Sequence, residues 1–314
     1  MSELSFREGR ASDLESVYAL GEVAWDESLA ARGLIPGDEV RAGQALFRDW
    51  EFERPLMEFM TAQPGGCFLV AAADGELAGF VIVTRFPGMD ELGDLWVAPE
   101  HGGKGVSRGL LERCWGESPT PDLGRLVVAV GTPADLTLFT EFGVMPVTGH
   151  WHMRHRVDQY LEQRAQEVDS TEPGVHVLTP DRAVEEWKRL EPAAVGHERA
   201  ALHEFFGRTR NCLATVDDSG NATALCWVSA HEEIGPGVGT GPEDLIPVVL
   251  AALDRVAKMQ EPETLGVNCT TASWWLMDRL RGLGFRVHWP AWIMSSVPLP
   301  GLDRYLPTRP MRLL

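Results

Sequence analysis

Lys104 and Arg108 flank and follow a run of glycines, Gly102, Gly103 and Gly105, and that combination suits one kind of chemistry, the holding of an anion. Glycines permit backbone torsions closed to other residues, so such a loop can turn its amides to one side. Val106, Leu110, Leu111 and Cys114 then recur at helical spacing. A helix starting near Val106 would present unpaired first amides and the positive end of its dipole to the loop. Phosphate groups bind at such helix starts, and Lys104 and Arg108 add full charges beside them. The stretch lacks the lysine-plus-hydroxyl pattern of triphosphate loops, and its glycine spacing differs from the dinucleotide fingerprint.

A strand must carry this loop. Leu95 and Val97 alternate with Asp94 and Trp96, the period of a strand with one buried face, and Pro99 ends the ladder. Strand, glycine loop and helix therefore follow one another from Glu91 to Glu112.

Asp94, Leu95, Val97, Pro99 and Glu100, followed by Gly105, make this stretch similar to the acyl-CoA pyrophosphate loop of the GNAT N-acetyltransferase superfamily. There a strand reading Asp-Leu-x-Val-x-Pro-Glu precedes Gln/Arg-x-x-Gly-x-Gly/Ala. Two positions depart from the pattern: Gly102 stands where Gln or Arg is usual, and Ser107 where Gly or Ala is usual. The resemblance implies that Gly102, Gly103, Lys104, Gly105, Val106, Ser107 and Arg108 line a site for acetyl-CoA, the co-substrate. It also implies that the backbone of Leu95, Trp96 and Val97 holds the pantetheine arm and polarises the thioester carbonyl.

Acyl transfer to an amine further needs a base and a route for the leaving thiolate. A carboxylate with a raised pKa suits the first task. Glu91 lies near where histone-acetylating relatives place their base, and Asp94 and Glu27 are the other candidates. Glu27 belongs to the segment Glu22, Trp25, Asp26, Glu27 and Ser28, expected between the first two helices, where GNAT folds border the acceptor site. Many relatives carry a Tyr acid four residues before the glycine that closes the next helix. Here that residue is Phe139, before Gly143, and Thr132 replaces a common Asn. Two functions stay open: an N-acetyltransferase acting on a primary amine of a small molecule, or an acyl-CoA-binding or regulatory module without catalysis.

The order of elements extends the resemblance over a whole domain. A strand at Leu4 to Glu8, helices from Ser12 and from about Asp38 to Met60, and a hairpin turning at Asp74-Gly75 precede the loop. A strand at Arg125 to Val130, a helix to Phe142 and a strand pair from Val144 to Arg156 follow it. The same order recurs faintly after Val175. The fold class implied is α/β, with two tandem GNAT-like domains, each a mixed, mostly antiparallel sheet flanked by helices. Residues 1–156 would be the first domain, 157–174 a linker and 175–314 a degenerate second domain. In the latter, Gly235 to Asp244 also leads from strand to helix, but Glu243 and Asp244 would meet a pyrophosphate with like charge.

Composition narrows the partners. A net charge of −18 opposes nucleic acid and favours a cationic amine. No apolar run suits a membrane span and the start lacks a secretory signal, so a cytoplasmic protein without a membrane partner is expected. Cys67, Cys114, Cys212, Cys226 and Cys269 have no metal or redox spacing and read as reduced core residues. His150, His152 and His155 lack a completing ligand and read as partly exposed imidazoles, so no metal is expected. Trp227, Trp274, Trp275, Trp289 and Trp292 read as core or interface, and Arg304, Arg309 and Arg312 as solvated tail charges. A homodimer, with that tail docked on a neighbour, is compatible with these features.

Overall fold

The computed structural model describes residues 4–33, 44–116, 120, 122–167, 174–260, 262–308 and 312–314. It divides into two compact units, Met1–Leu126 with Ala134–Val144, and Val127–Pro133 with Met145–Leu314.

The first unit opens with β1 (Leu4–Glu8), which pairs antiparallel with β2 (Cys67–Ala73). Between them run α1 (Leu14–Ala31) and α2 (Gln44–Thr61). β2 turns into β3 (Glu76–Phe86) at Asp74 and Gly75, whose φ values of 52° and 89° fit the hairpin turn expected of Asp-Gly. β3 turns at Pro87-Gly88 into β4 (Met89–Val97), which leads through a short 3-10 turn to α3 (Val106–Trp115). β5 (Gly124–Ala129) and α4 (Pro133–Glu141) complete the succession, with strand order β1-β2-β3-β4-β5.

The second unit takes up β6 (Met145–Arg156), which continues into α5 (Val157–Ala165). Where the sequence suggests a strand pair from Val144, β6 is one uninterrupted strand of 12 residues, because no turn divides it. It pairs antiparallel on one side with β11 (Thr264–Thr270) and on the other with β12 (Arg286–Ser295). A strand expected to end the first domain thus finds its partners more than 100 residues later. The remaining strands, β7 (His176–Leu178), β8 (Arg210–Val216), β9 (Ala222–Ser229), β10 (Ile234–Gly239) and β13 (Tyr305–Leu306), form a second sheet ordered β13-β10-β9-β8-β7. The helices α6 (Pro180–Leu190), α7 (Pro192–Val195), α8 (Ala200–Thr209), α9 (Leu245–Met259) and α10 (Trp274–Gly282) flank these strands. The apolar face of α9, with Leu245, Val249, Leu253 and Val256, fills the core of this unit beside Val267, Cys269 and Leu280.

Several expectations are corrected. Cys67 and Cys114 form a disulfide joining the start of β2 to the last turn of α3, their Cα atoms 5.7 Å apart. Only Cys212, Cys226 and Cys269 are free and buried. His150 and His152 are buried, not partly exposed, because β11 and β12 cover both edges of β6. Burial also pushes the His150 imidazole down to about 3. Trp227 and Trp289 are in the core, but Trp274, Trp275 and Trp292 are exposed. Arg312 is buried and Arg304 hydrogen-bonds the carbonyls of Thr240 and Ala193, so neither is a free tail charge. Arg309 and residues 38–43 of the expected second helix lie outside the described residues.

Candidate active site

The glycine loop has the geometry its residues suggest, with one exception. Gly103 and Gly105 adopt φ of 71° and 82°, the left-handed region that disfavours a side chain. Gly102 has φ −55° and ψ 141°, open to any residue, so its glycine is not conformationally required. The first bond into α3 runs from Gly109 N–H to the Gly105 carbonyl at 2.9 Å. Among the described residues the backbone amides of Gly103, Gly105, Val106, Ser107 and Arg108 therefore have no backbone partner. These amides and the positive dipole end of α3 form an anion cradle. Lys104 is exposed and makes no ion pair among the described residues, whereas Arg108 is held by Glu141 of α4. Ser107 is small and half-buried at the first turn of α3.

β4 positions the carboxylates. Glu91 and Asp94 are three residues apart, which on a regular strand would put them on opposite faces. The β3–β4 register instead slips at Gly93: Leu92 pairs with Val83, and Asp94 with Ile82. Glu91 lies opposite Thr84, Asp94 opposite Ile82 and Trp96 opposite Phe80. Since Phe80, Ile82 and Thr84 share one face of β3, the bulge brings Glu91, Asp94 and Trp96 onto that face together. Leu95 and Val97 point the other way, where Val106 of α3 packs: its Cγ1 lies 3.1 Å from where a Cβ on Gly79, the partner of Val97, would sit.

α1 covers the carboxylate face. A Cβ on Gly21 would lie 3.0 Å from Trp96 and 3.3 Å from Phe80, and Trp25 meets Trp96 edge-on with ring centroids 6.0 Å apart. Glu91 is 0% exposed and Asp94 5% exposed, with Asp94 accepting the Trp96 indole N–H at 3.0 Å. The segment containing Glu27 is not a connection but part of α1, because nothing after Gly21 breaks the helix before Gly33. On that helix Glu27 is exposed and its neighbour Asp26 is buried. The candidate base Glu27 is thus on the outer side of α1, and burial sets Asp26 on the inner side. The one signal that could have revealed the shared face of Glu91 and Asp94 is Gly93, since a glycine inside a strand marks a bulge.

Phe139 is buried in α4, and Gly143, four residues on, adopts φ 78° as the helix closes. Tyr18, Tyr160 and Tyr305 are all buried as well. Among the described residues no group of three His, Cys, Asp or Glu could hold a metal ion. No described helix is long and apolar enough to cross a membrane.

In the second unit the glycine-rich stretch is mostly strand. Residues 235–239 belong to β10 and are buried, and at Gly235 and Gly239 neighbouring backbone approaches too closely for a side chain. A Cβ on Gly235 would lie 2.4 Å from the Pro307 carbonyl, and one on Gly239 2.6 Å from that of Gly241. At the start of α9, Asp244 accepts hydrogen bonds from the Thr240 hydroxyl at 2.5 Å and the Gly241 amide at 2.8 Å. The carboxylate thus folds back on the turn before α9 and adds negative charge beside this helix start.

Residues 35–136 match the model of the acetyltransferase (GNAT) family. Three solved structures share the fold over most of their length. A proposed acetyltransferase from Pyrococcus horikoshii is 14% identical, with TM-score 0.67 over 96% of this chain and 92% of its own. A tandem GNAT protein from the clavulanic acid biosynthesis pathway is 17% identical, with TM-score 0.59 over 94% and 99%. A GCN5-related N-acetyltransferase from Sphaerobacter thermophilus is 17% identical, with TM-score 0.55 over 94% and 96%. A comparison with curated protein sequences found no match.

Proposed function

We propose that this chain transfers an acetyl group from acetyl-CoA to a primary amine of a small molecule, directly and without a covalent enzyme intermediate. The single observation that carries this reading is the set of amides of Gly103, Gly105, Val106, Ser107 and Arg108 without a backbone partner among the described residues, at a helix start within the segment matched by the GNAT family. The loop suits a pyrophosphate: small Ser107 leaves room for close approach, and Lys104 supplies a charge not engaged by a carboxylate. The thioester of acetyl-CoA supplies the activated acyl group. The backbone of Leu95, Trp96 and Val97 orients the pantetheine arm and polarises the carbonyl.

Glu91 takes the proton from the attacking amine. It is fully buried on the face of β4 that it shares with Asp94 and Trp96, where the amine would approach. Asp94, fixed by the Trp96 indole, and the Trp25–Trp96 pair orient the amine on the same face of β4. The second unit is a degenerate GNAT-like domain, in which Glu243 and Asp244 at the start of α9 would repel a pyrophosphate.

A second reading, an acyl-CoA-binding module without turnover, is favoured by the buried Phe139 in place of a phenol. Release of free thiol from acetyl-CoA across a panel of small amines separates the two. Amine-dependent release supports the enzyme; tight binding of CoA with no release above the uncatalysed rate across the panel supports the module.

A further inference from the structure

We propose that a cleft in the second unit is a binding site for a small phosphorylated anion, separate from the glycine loop. The cleft has a volume of about 460 Å³ and is formed where β6, β12, β11 and α5 come together. Three guanidiniums line it, from Arg154, Arg156 and Arg286. In a chain with 46 acidic and 28 basic side chains, such a local excess of arginine is unexpected from composition.

The strand register makes the arrangement specific. Arg286 of β12 lies directly opposite Arg154 of β6, and Arg156 shares the face of Arg154 two residues on. Like charges directly opposed on neighbouring strands destabilise a sheet unless something neutralises them. Among the described residues no carboxylate pairs with either: Arg154 donates only to the Thr264 hydroxyl, at 3.0 Å, and Arg286 makes no hydrogen bond or ion pair. The nearby carboxylates act on Arg156 instead. Asp158 pairs with it at 2.9 Å on an exposed surface, and Glu263 adds a second negative charge at longer range.

His155 alternates with Arg154 and Arg156 along β6 and faces the other side of the sheet, so the guanidiniums are what this face offers a ligand.

The ligand class follows from the donors. Arg156 is already paired with Asp158, and the guanidiniums of Arg154 and Arg286 together bring two positive charges, one more than a single carboxylate neutralises. A phosphoryl group, with more oxygens and up to two charges, satisfies them better. The volume suits a small molecule, and the overall charge opposes a nucleic acid.

The test is calorimetric titration with inorganic pyrophosphate at constant ionic strength. The full chain would carry Lys104→Glu and Arg108→Glu, so that the glycine loop does not contribute. One saturable site is expected, weakened at least about tenfold by Arg154→Gln or Arg286→Gln, each replacing a bidentate charged donor. Arg154→Lys and Arg286→Lys should retain part of the affinity, which shows that the parent fold persists. Arg281→Gln, on an exposed residue paired with Asp278, should change nothing. Absence of saturable binding in the parent, or equal binding by the Gln variants, would overturn the proposal. So would a response confined to vesicles containing phosphatidic acid, with none to the free anion.

Discussion

Replacing Gly105 with alanine isolates the backbone conformation on which the anion cradle depends. Gly105 has φ 82° and ψ 7° at the start of α3, and a Cβ there would meet nothing within 4 Å. The substitution therefore adds no clash, only the cost of holding a side chain in the left-handed region, about 1–2 kcal/mol. Restriction of the unfolded chain by alanine offsets roughly 0.4–1 kcal/mol of this. A net loss of about 1 kcal/mol is expected, which lowers Tm by roughly 3–5 °C for a unit of this size. Gly102→Ala is the matched control. Its φ of −55° permits alanine, and its tight contact, 3.2 Å to the Pro99 carbonyl, offsets the gain in unfolded-state entropy. Its stability should stay within about 0.5 kcal/mol of the parent. Urea denaturation measures both, and CoA titration should show weaker binding for Gly105→Ala alone. Equal stability of the two variants, or a larger loss at Gly102, would refute the reasoning.

Glu91→Gln should lower amine-dependent thiol release at least about 100-fold while leaving CoA affinity unchanged, as expected for loss of a general base; unaltered release would exclude Glu91 from that role. Reducing the Cys67–Cys114 disulfide, which closes a loop with a sequence separation of 47, should cost about 2–4 kcal/mol of first-unit stability, measured by denaturation with and without reductant. His150 should make stability sensitive to acid. Its pKa is lowered from 6.5 to about 3, so the unfolded chain takes up a proton between these values that the folded chain refuses. Stability should then fall by roughly 1.4 kcal/mol per pH unit across that window. Glu191, held below the usual carboxylate range by Arg199 and His203, adds a loss as pH falls below about 4.5. His150→Leu should remove the part of the slope between pH 6 and 5; an unchanged slope there would contradict the assignment.

Local signals were readable where local physics decides. The Asp74-Gly75 turn fixed the β2–β3 hairpin, and the glycines before Val106 marked a helix start with free amides. What escaped depends on distant neighbours. The face shared by Glu91 and Asp94 follows from one register slip at Gly93, which alternation alone does not reveal. Gly235 and Gly237 look like a loop because the approach of Pro307 and Leu306, which favours glycine there, lies some 70 residues further on. His150 and His152 look half-exposed until β11 and β12 arrive, and Cys67 meets Cys114 only because α3 packs beside β2. The long reach of α1 is hidden for a different reason: Trp25 to Ser28 form no breaker, yet an acidic and aromatic run resembles a connection.

The most direct measurement is calorimetric titration of CoA into the wild-type chain and into the Lys104→Glu, Arg108→Glu variant. Saturable binding by the wild type, weakened tenfold or more in the variant, is the expected result, with Lys104→Glu alone causing more of the loss because Arg108 is shared with Glu141. No binding by the wild type, or equal affinity in both chains, would contradict the claim that this helix start holds the pyrophosphate.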